Sequence, residues 1–144
     1  MKFEHILVPI DFSDQSRQAL QAARELCQSY NATLTLLHVH AIVSVAVLDF
    51  TYVEAPEELV RVTEAAENHL REWAKDLDLP AGTVDIKVAT GDPVTEIVHC
   101  TVQHDLIVMS THGRSGLTRF LMGSVAERVV RGAHCSVLIV RAKA

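Results

Sequence analysis

Short apolar runs that alternate with longer amphipathic stretches predict an α/β fold. The expected architecture is an open five-stranded parallel sheet, Rossmann-like, with helices on both faces. Two further observations agree. The 144 residues suit a single domain, 1–144, able to bury roughly two-thirds of its unfolded surface. The chain is 49% hydrophobic but only 5% aromatic, so Val, Leu, Ile and Ala must build its core.

Ile6-Leu7-Val8-Pro9-Ile10, closed by Asp11, reads as a buried strand. Ser13 is placed to cap the next helix, where Ala19, Ala22, Ala23, Leu26, Cys27 and Tyr30 keep helical spacing and Asn31 suits the stop. Thr33 to His40 forms the second strand on Leu34, Leu36, Leu37 and Val39. Residues 41–54 are apolar (Ile42, Val43, Val45, Val47, Leu48) without a clear period, and a loop or short helix is expected there. Pro56 opens a long amphipathic helix with Leu59, Val62, Ala66, Leu70, Trp73 and Leu77 spaced by threes and fours, ended by Leu79-Pro80-Ala81-Gly82.

Val84 to Val88 alternates apolar and charged residues, the mark of a strand with one wet face near an edge. Gly91-Asp92-Pro93 turns into a helix capped by Asp92, with Val94, Ile97, Val98 and Thr101 as its buried stripe. Leu106 to Met109 is another buried strand. A helix from about Leu121 to Arg131 is expected to turn Val125, Val129 and Val130 inward and to stop at Gly132. Val137 to Val140 is the last strand. It is apolar on both faces and expected at a sheet edge, which needs a cover. Pairing with a second copy across a two-fold axis supplies one; shielding within the chain is the alternative.

A formal net charge of −5 argues against a nucleic-acid or anionic-membrane surface. It leaves open a small anion held by local donors. Cys27, Cys100 and Cys135 lack CxxC spacing and read as small buried hydrophobes in a reducing compartment. Charge interrupts the N-terminus before any secretory apolar region, and no run approaches the roughly 20 apolar residues of a membrane span. A cytoplasmic protein is expected.

In such sheets ligands sit beyond the carboxyl ends of strands, where strand order reverses. The segments Asp11 to Ser13, Val39 to Ala41, Ala89 to Asp92 and Ser110 to Gly113 are expected to converge there. One of them is distinctive. Met109-Ser110-Thr111-His112-Gly113-Arg114-Ser115-Gly116 leads from a strand through a glycine-rich loop to a helix start at Gly123-Ser124. Glycine lets backbone amides approach an anion, and a helix N-terminus adds unpaired donors and a favourable dipole.

Blander readings stand beside this one. Asp11 also suits a simple helix-start turn, Gly123-Ser124 a simple cap, and Gly113 and Gly116 ordinary loop positions. His112 and Arg114 are placed either to touch an anion or to face solvent. His38 and His40 share a strand face without further ligands at recognisable spacing, so a structural role is expected and no metal site. No Gly-Lys-Ser/Thr loop, G-x-G-x-x-G or G-x-S-x-G occurs. No catalytic residue can be named.

These residues resemble the universal stress protein family. Ile6 to Ser13 looks like its first strand and turn, Leu36-Leu37-His38-Val39 like its second strand, and Gly91-Asp92-Pro93 like its next turn. Met109 to Arg114, Gly123 to Arg128 and Cys135 to Arg141 complete a likeness that covers nearly the whole chain. The resemblance implies strand order 3-2-1-4-5. Nucleotide-binding members carry Gly, two residues, Gly, nine residues, then Gly with Ser or Thr. Gly113, residues 114–122 and Gly123-Ser124 match this, whereas the first position is Ser110 instead of glycine.

Carried over residue by residue, the resemblance implies that Asp11 bonds the ribose and that Val39, with the Pro9 and Ile10 backbone, lines the adenine pocket. Gly113, Gly123, Ser124 and the Val125 amide would bind phosphates, beside Met109, Ser110, His112 and Arg114. Mg2+ would bridge phosphate oxygens, since magnesium relies on few protein ligands. The expectation is an ATP-binding, homodimeric stress-response or signalling module, joined through Val137 to Val140, that hydrolyses ATP slowly at most. Its rivals are a nucleotide-free interaction protein of the same fold, with the phosphate blocked by Ser110, and a slow ATPase or phosphotransferase.

Overall fold

The computed structural model describes residues 1–42, 45–47, 50–52, 54–112 and 122–141. In chain order its elements are β1 (His5–Pro9), α1 (Asp14–Tyr30), β2 (Thr33–His40), β3 (Val45–Val47), β4 (Phe50–Tyr52), α2 (Pro56–Lys75), β5 (Val84–Thr90), α3 (Pro93–Thr101), β6 (Leu106–Ser110), α4 (Ser124–Gly132) and β7 (Ser136–Val140). Five of the strands form one parallel sheet in the order β5-β2-β1-β6-β7. Counted among themselves, these strands run 3-2-1-4-5, the order that the resemblance implied.

The period of two along each strand divides the core between the faces. Ile6 and Val8 of β1, Leu34 and Leu36 of β2, and Leu106 and Val108 of β6 meet α1 and α2 on one side. Leu7, Leu37, Ile107 and Met109 meet α3 and α4 on the other. Strands covered on both faces need apolar residues at every position, which is why β1 and β6 read as continuous runs. The alternating strand β5 lies at one edge, as its charged positions suggest.

Local signals set the helix ends. Ser13 accepts the Ser16 amide at 3.1 Å, and Asn31 closes α1 in the left-handed conformation with φ 54°. Asp92 Oδ2 accepts the Thr95 amide at 2.9 Å at the start of α3. The turn before it needs glycine, because Gly91 has φ +150°.

Two expectations require correction. The segment 41–54 contains an antiparallel pair, β3 with β4, where a loop or short helix was expected. Valine, threonine and aromatic residues favour extended backbone, and two three-residue strands are too short to show a period. In α4, Ala126 and Val129 point inward, while Val125 and Val130 are 38% and 41% exposed. At 100° per residue, each of these valines sits about 70° to one side of the stripe centred between Ala126 and Val129. The expected helix start at Leu121 lies outside the described residues. Gly132 ends α4, as expected. It is the last helical residue, and a Cβ there would lie 3.1 Å from Val98 Cγ2, so it permits close packing of α3 on α4.

All three cysteines are free, but only Cys27 and Cys100 are buried; Cys135 is half-buried. Burial raises the thiol pKa of Cys27 and Cys135, which keeps both protonated and unreactive near neutrality.

Asp105 ties the start of β6 to the start of β1. Its Oδ2 accepts the Glu4 amide at 2.9 Å and the His5 amide at 2.8 Å, and these bonds lower its carboxyl pKa from the ordinary 3.8. A depressed folded-state pKa stabilises the fold above the unfolded value and ceases to do so as pH falls through the folded value. The urea midpoint of Asp105→Ala is therefore expected below wild type by a constant margin from pH 7 to 5. That margin shrinks below about pH 4.

Candidate functional site

Sheet order reverses between β1 and β6, so the chain leaves these neighbouring strands toward opposite edges and opens a crevice at their carboxyl ends. A cavity of about 350 Å³ occupies it. Pro9, Ile10 and Asp11 form one wall, Val39 another, and Met109, Ser110 and His112 a third; Gly123, Ser124 and Val125 close it from α4. These are ten of the twelve residues that the sequence singled out. The other two, Gly113 and Arg114, lie outside the described residues. The wall also contains Ser16, Leu37, His38, Pro93, Ile97, Thr111 and Ala126, which sequence reasoning did not select. Thr111 and Pro93 had a visible signal, since both adjoin strand ends already expected to converge.

Helices α1, α3 and α4 all bring residues from their first turns to this cavity. An α-helix begins with amides that lack intrahelical acceptors. At α1 and α3 the side chains of Ser13 and Asp92 satisfy one such donor. No side chain caps α4. Its N-cap is Gly123, whose own amide donates to Thr111 O at 2.7 Å, while Glu127 N to Gly123 O at 3.0 Å begins the helical ladder. The amides of Ser124, Val125 and Ala126 are thus left without intrahelical acceptors at the cavity wall. Positive dipole and open donors coincide there.

Gly123 is required by close approach. A Cβ on it would lie 2.9 Å from Thr111 O, a backbone atom that cannot swing aside. Ser110, at the position where the signature has glycine, fits without strain: its φ is not positive, and its hydroxyl donates to His112 O at 2.8 Å.

On the opposite wall, Asp11 Oδ1 accepts both the amide and the hydroxyl of Ser13, the helix-start role that its position also suggested. Phe12 next to it has φ 62°, a costly value for a bulky residue. Its ring is wedged against neighbours, stacked on His69 at 4.1 Å and edge-on to Trp73 at 5.5 Å. His38 Nδ1 donates to Ile10 O at 2.7 Å, and His40 Nε2 lies 2.9 Å from Glu54 Oε2. Both histidines thus have structural partners. Among the described residues no cluster of three or more His, Cys, Asp or Glu is placed to hold a metal ion, and no helix is long and apolar enough to cross a membrane.

Comparison with known proteins follows the same lines. The family model for the universal stress protein family matches residues 2–141. Universal stress protein MJ0531 of Methanocaldococcus jannaschii is 35% identical, over 96% of this chain and 82% of its own. The structure of universal stress protein UspA from Lactobacillus plantarum superposes with a TM-score of 0.81 at 26% identity, covering 98% of this chain and 99% of that one. Another universal stress protein, solved in complex with cAMP, shares the fold with a TM-score of 0.70 and 24% identity, over 97% of this chain and 98% of that one. Family model, sequence identity and topology agree, and the chain belongs to the universal stress protein family.

Proposed function

We propose that this chain binds ATP in the crevice between β1 and β6 and acts as a homodimeric, cytoplasmic stress-response module with at most slow hydrolysis. One observation carries the reading: the uncapped N-terminus of α4 borders a cavity large enough for a small ligand at the switch point of the sheet. Gly123, Ser124 and the Val125 amide would hold phosphates, with Gly113 and Arg114 from the adjoining segment. Asp11 would hold the ribose, and Val39 with the Pro9 and Ile10 backbone would hold the adenine. Met109, Ser110 and His112 would line the remaining wall. Bound Mg2+ would neutralise phosphate charge, held mainly by phosphate oxygens.

Two titratable side chains of the wall are already engaged, Asp11 with Ser13 and His38 with Ile10, which supports slow turnover. Mass spectrometry of ligand released from freshly purified protein, then calorimetry with ATP and AMP, tests the binding. Folded protein that carries no nucleotide and takes up neither one favours the interaction-protein reading. Single-turnover assays with labelled ATP test the rest, since turnover of about 1 per second or faster belongs to an ordinary enzyme.

The dimer reading rests on β7. It ends the sheet, and Leu138 on it is 39% exposed. Ile139 is half-buried and packs against the core cluster that includes α3 and α4 residues, so a lysine there would disturb the fold itself. Leu138→Lys is the cleaner change. It is expected to yield a folded monomer by light scattering with an unaltered circular dichroism spectrum; a persistent dimer would refute pairing through this strand.

A further inference from the structure

Outside the crevice, α3 and α4 enclose a second hollow. It is an open groove of about 520 Å³, formed by Val94, Val98 and His99 of α3 with Arg128, Arg131 and Gly132 of α4. Its floor is apolar. Val94 is buried and Val98 half-buried, and Gly132 brings no side chain to fill the space between the helices. Its rim is cationic. Arg128 and Arg131 are both exposed, and residues three apart on a helix are neighbours on its surface. Among the described residues no carboxylate lines the groove.

In a chain of net charge −5 such a rim is a local exception. Arg131 lies 2.9 Å from Glu127 Oε1, yet its side chain remains 78% exposed. Arg128 has no hydrogen bond or ion pair among the described residues. Asp92 is near enough to feel its charge, but Asp92 Oδ2 is already held by the Thr95 amide at 2.9 Å and the Thr95 hydroxyl at 2.8 Å. The Arg128 guanidinium is thus open to a carboxylate from outside.

We propose that this groove docks a partner protein through an acidic segment that carries a branched aliphatic side chain between carboxylates. The aliphatic group covers Val94 and Val98 in the space that Gly132 leaves, and the carboxylates meet Arg128 and Arg131, whose planar guanidinium groups donate to both oxygens of a carboxylate. Each half needs the other. Exposed ion pairs alone contribute little, and apolar contact alone makes no use of the arginines. Two arginines and an imidazole are too few to hold a nucleic acid or an anionic bilayer against the negative charge of the whole chain. The groove also lies inward of the β7 edge where a second copy would pair, since α3 packs over β1 and β2. Docking here does not depend on the nucleotide reading.

A fluorescein-labelled, amidated peptide, Asp-Glu-Ile-Leu-Glu-Asp, titrated against the full chain by anisotropy, tests this, with methyl NMR to locate it. Saturable binding is expected, with shifts centred on the methyls of Val94 and Val98 and not on those of Val39 and Met109 in the crevice. Arg128→Ala combined with Arg131→Ala, both at exposed positions, is expected to weaken binding about tenfold with an unchanged circular dichroism spectrum. Peptides Asn-Gln-Ile-Leu-Gln-Asn, which lacks the charge, and Asp-Glu-Ser-Ser-Glu-Asp, which lacks the aliphatic groups, are each expected to bind about tenfold more weakly. No saturation by about 1 mM peptide, shifts centred on the crevice, or unchanged affinity in the arginine variant overturns the proposal. So does a control peptide that binds as tightly, or binding of oligo-uridylate or phosphatidylserine vesicles in place of the acidic peptide.

Discussion

Gly123→Val is expected to abolish ATP binding, lowering affinity by about 100-fold or more, which is roughly 2.7 kcal/mol. The cause is local and mechanical. A Cβ at this position meets Thr111 O at 2.9 Å, and that carbonyl is also the acceptor of the Gly123 amide. Admitting a branched side chain forces the end of β6 away from the start of α4. Site geometry tolerates little of this, since a displacement of about 1 Å is enough to undo a well-aligned constellation. Valine is also a poor N-cap. The rest of α4 is anchored by Ala126 and Val129, which remain buried, so the fold should survive with modest destabilisation. Calorimetry with ATP, beside urea unfolding, separates the two effects. Affinity within threefold of wild type would show that the junction between β6 and α4 is not where phosphates bind.

Much of this was legible in the sequence. The continuous apolar runs of β1 and β6 gave away strands covered on both faces, and Ser13, Asn31, Asp92 and Pro93 marked helix ends with residues whose chemistry permits little else. Of the segments expected to converge, those at Asp11, Val39 and Ser110 to His112 meet in one cavity, whereas Ala89 to Asp92 stay off its wall and only the adjoining Pro93 reaches it. What sequence reasoning missed has physical causes. In α4, an apolar residue at each of positions 125, 126, 129 and 130 leaves the direction of the stripe undetermined; only packing against β6 and β7 selects Ala126 and Val129. The need for Gly123 is a contact between elements, which no local pattern encodes. Ser110 looked like a defect in the signature because a glycine usually signals special backbone. Here the strand continues through Ser110 in ordinary extended conformation, paired with Val140, and the serine hydroxyl adds a bond to the turn.

Trp73→Ala is expected to carry the largest cost to stability, about 3–5 kcal/mol, and to weaken the nucleotide site although Trp73 is not among the residues lining it. Trp73 is 5% exposed and belongs to the core between the sheet and α2. Its ring meets Phe12 edge-on at 5.5 Å, stands against His69, and lies beneath the Arg17 guanidinium at 4.0 Å. Phe12 occupies a left-handed conformation that costs about 1–3 kcal/mol and persists only while surrounding contacts hold it. Those contacts are His38, His69 and Trp73. Phe12 directly follows Asp11, so the angle at Phe12 sets where the Asp11 carboxylate stands relative to Ser13 and the cavity. Removing the indole frees Phe12 to relax toward ordinary backbone, and Asp11 moves with it. Urea unfolding measures the first effect; calorimetry with ATP at a temperature where the variant remains folded measures the second. A stability loss under about 1 kcal/mol would place Trp73 outside the effective core. Full stability loss with unchanged ATP affinity would show that the turn holds its shape without the indole, through the Phe12 contacts with His38 and His69 and the bonds from Ser13 to Asp11.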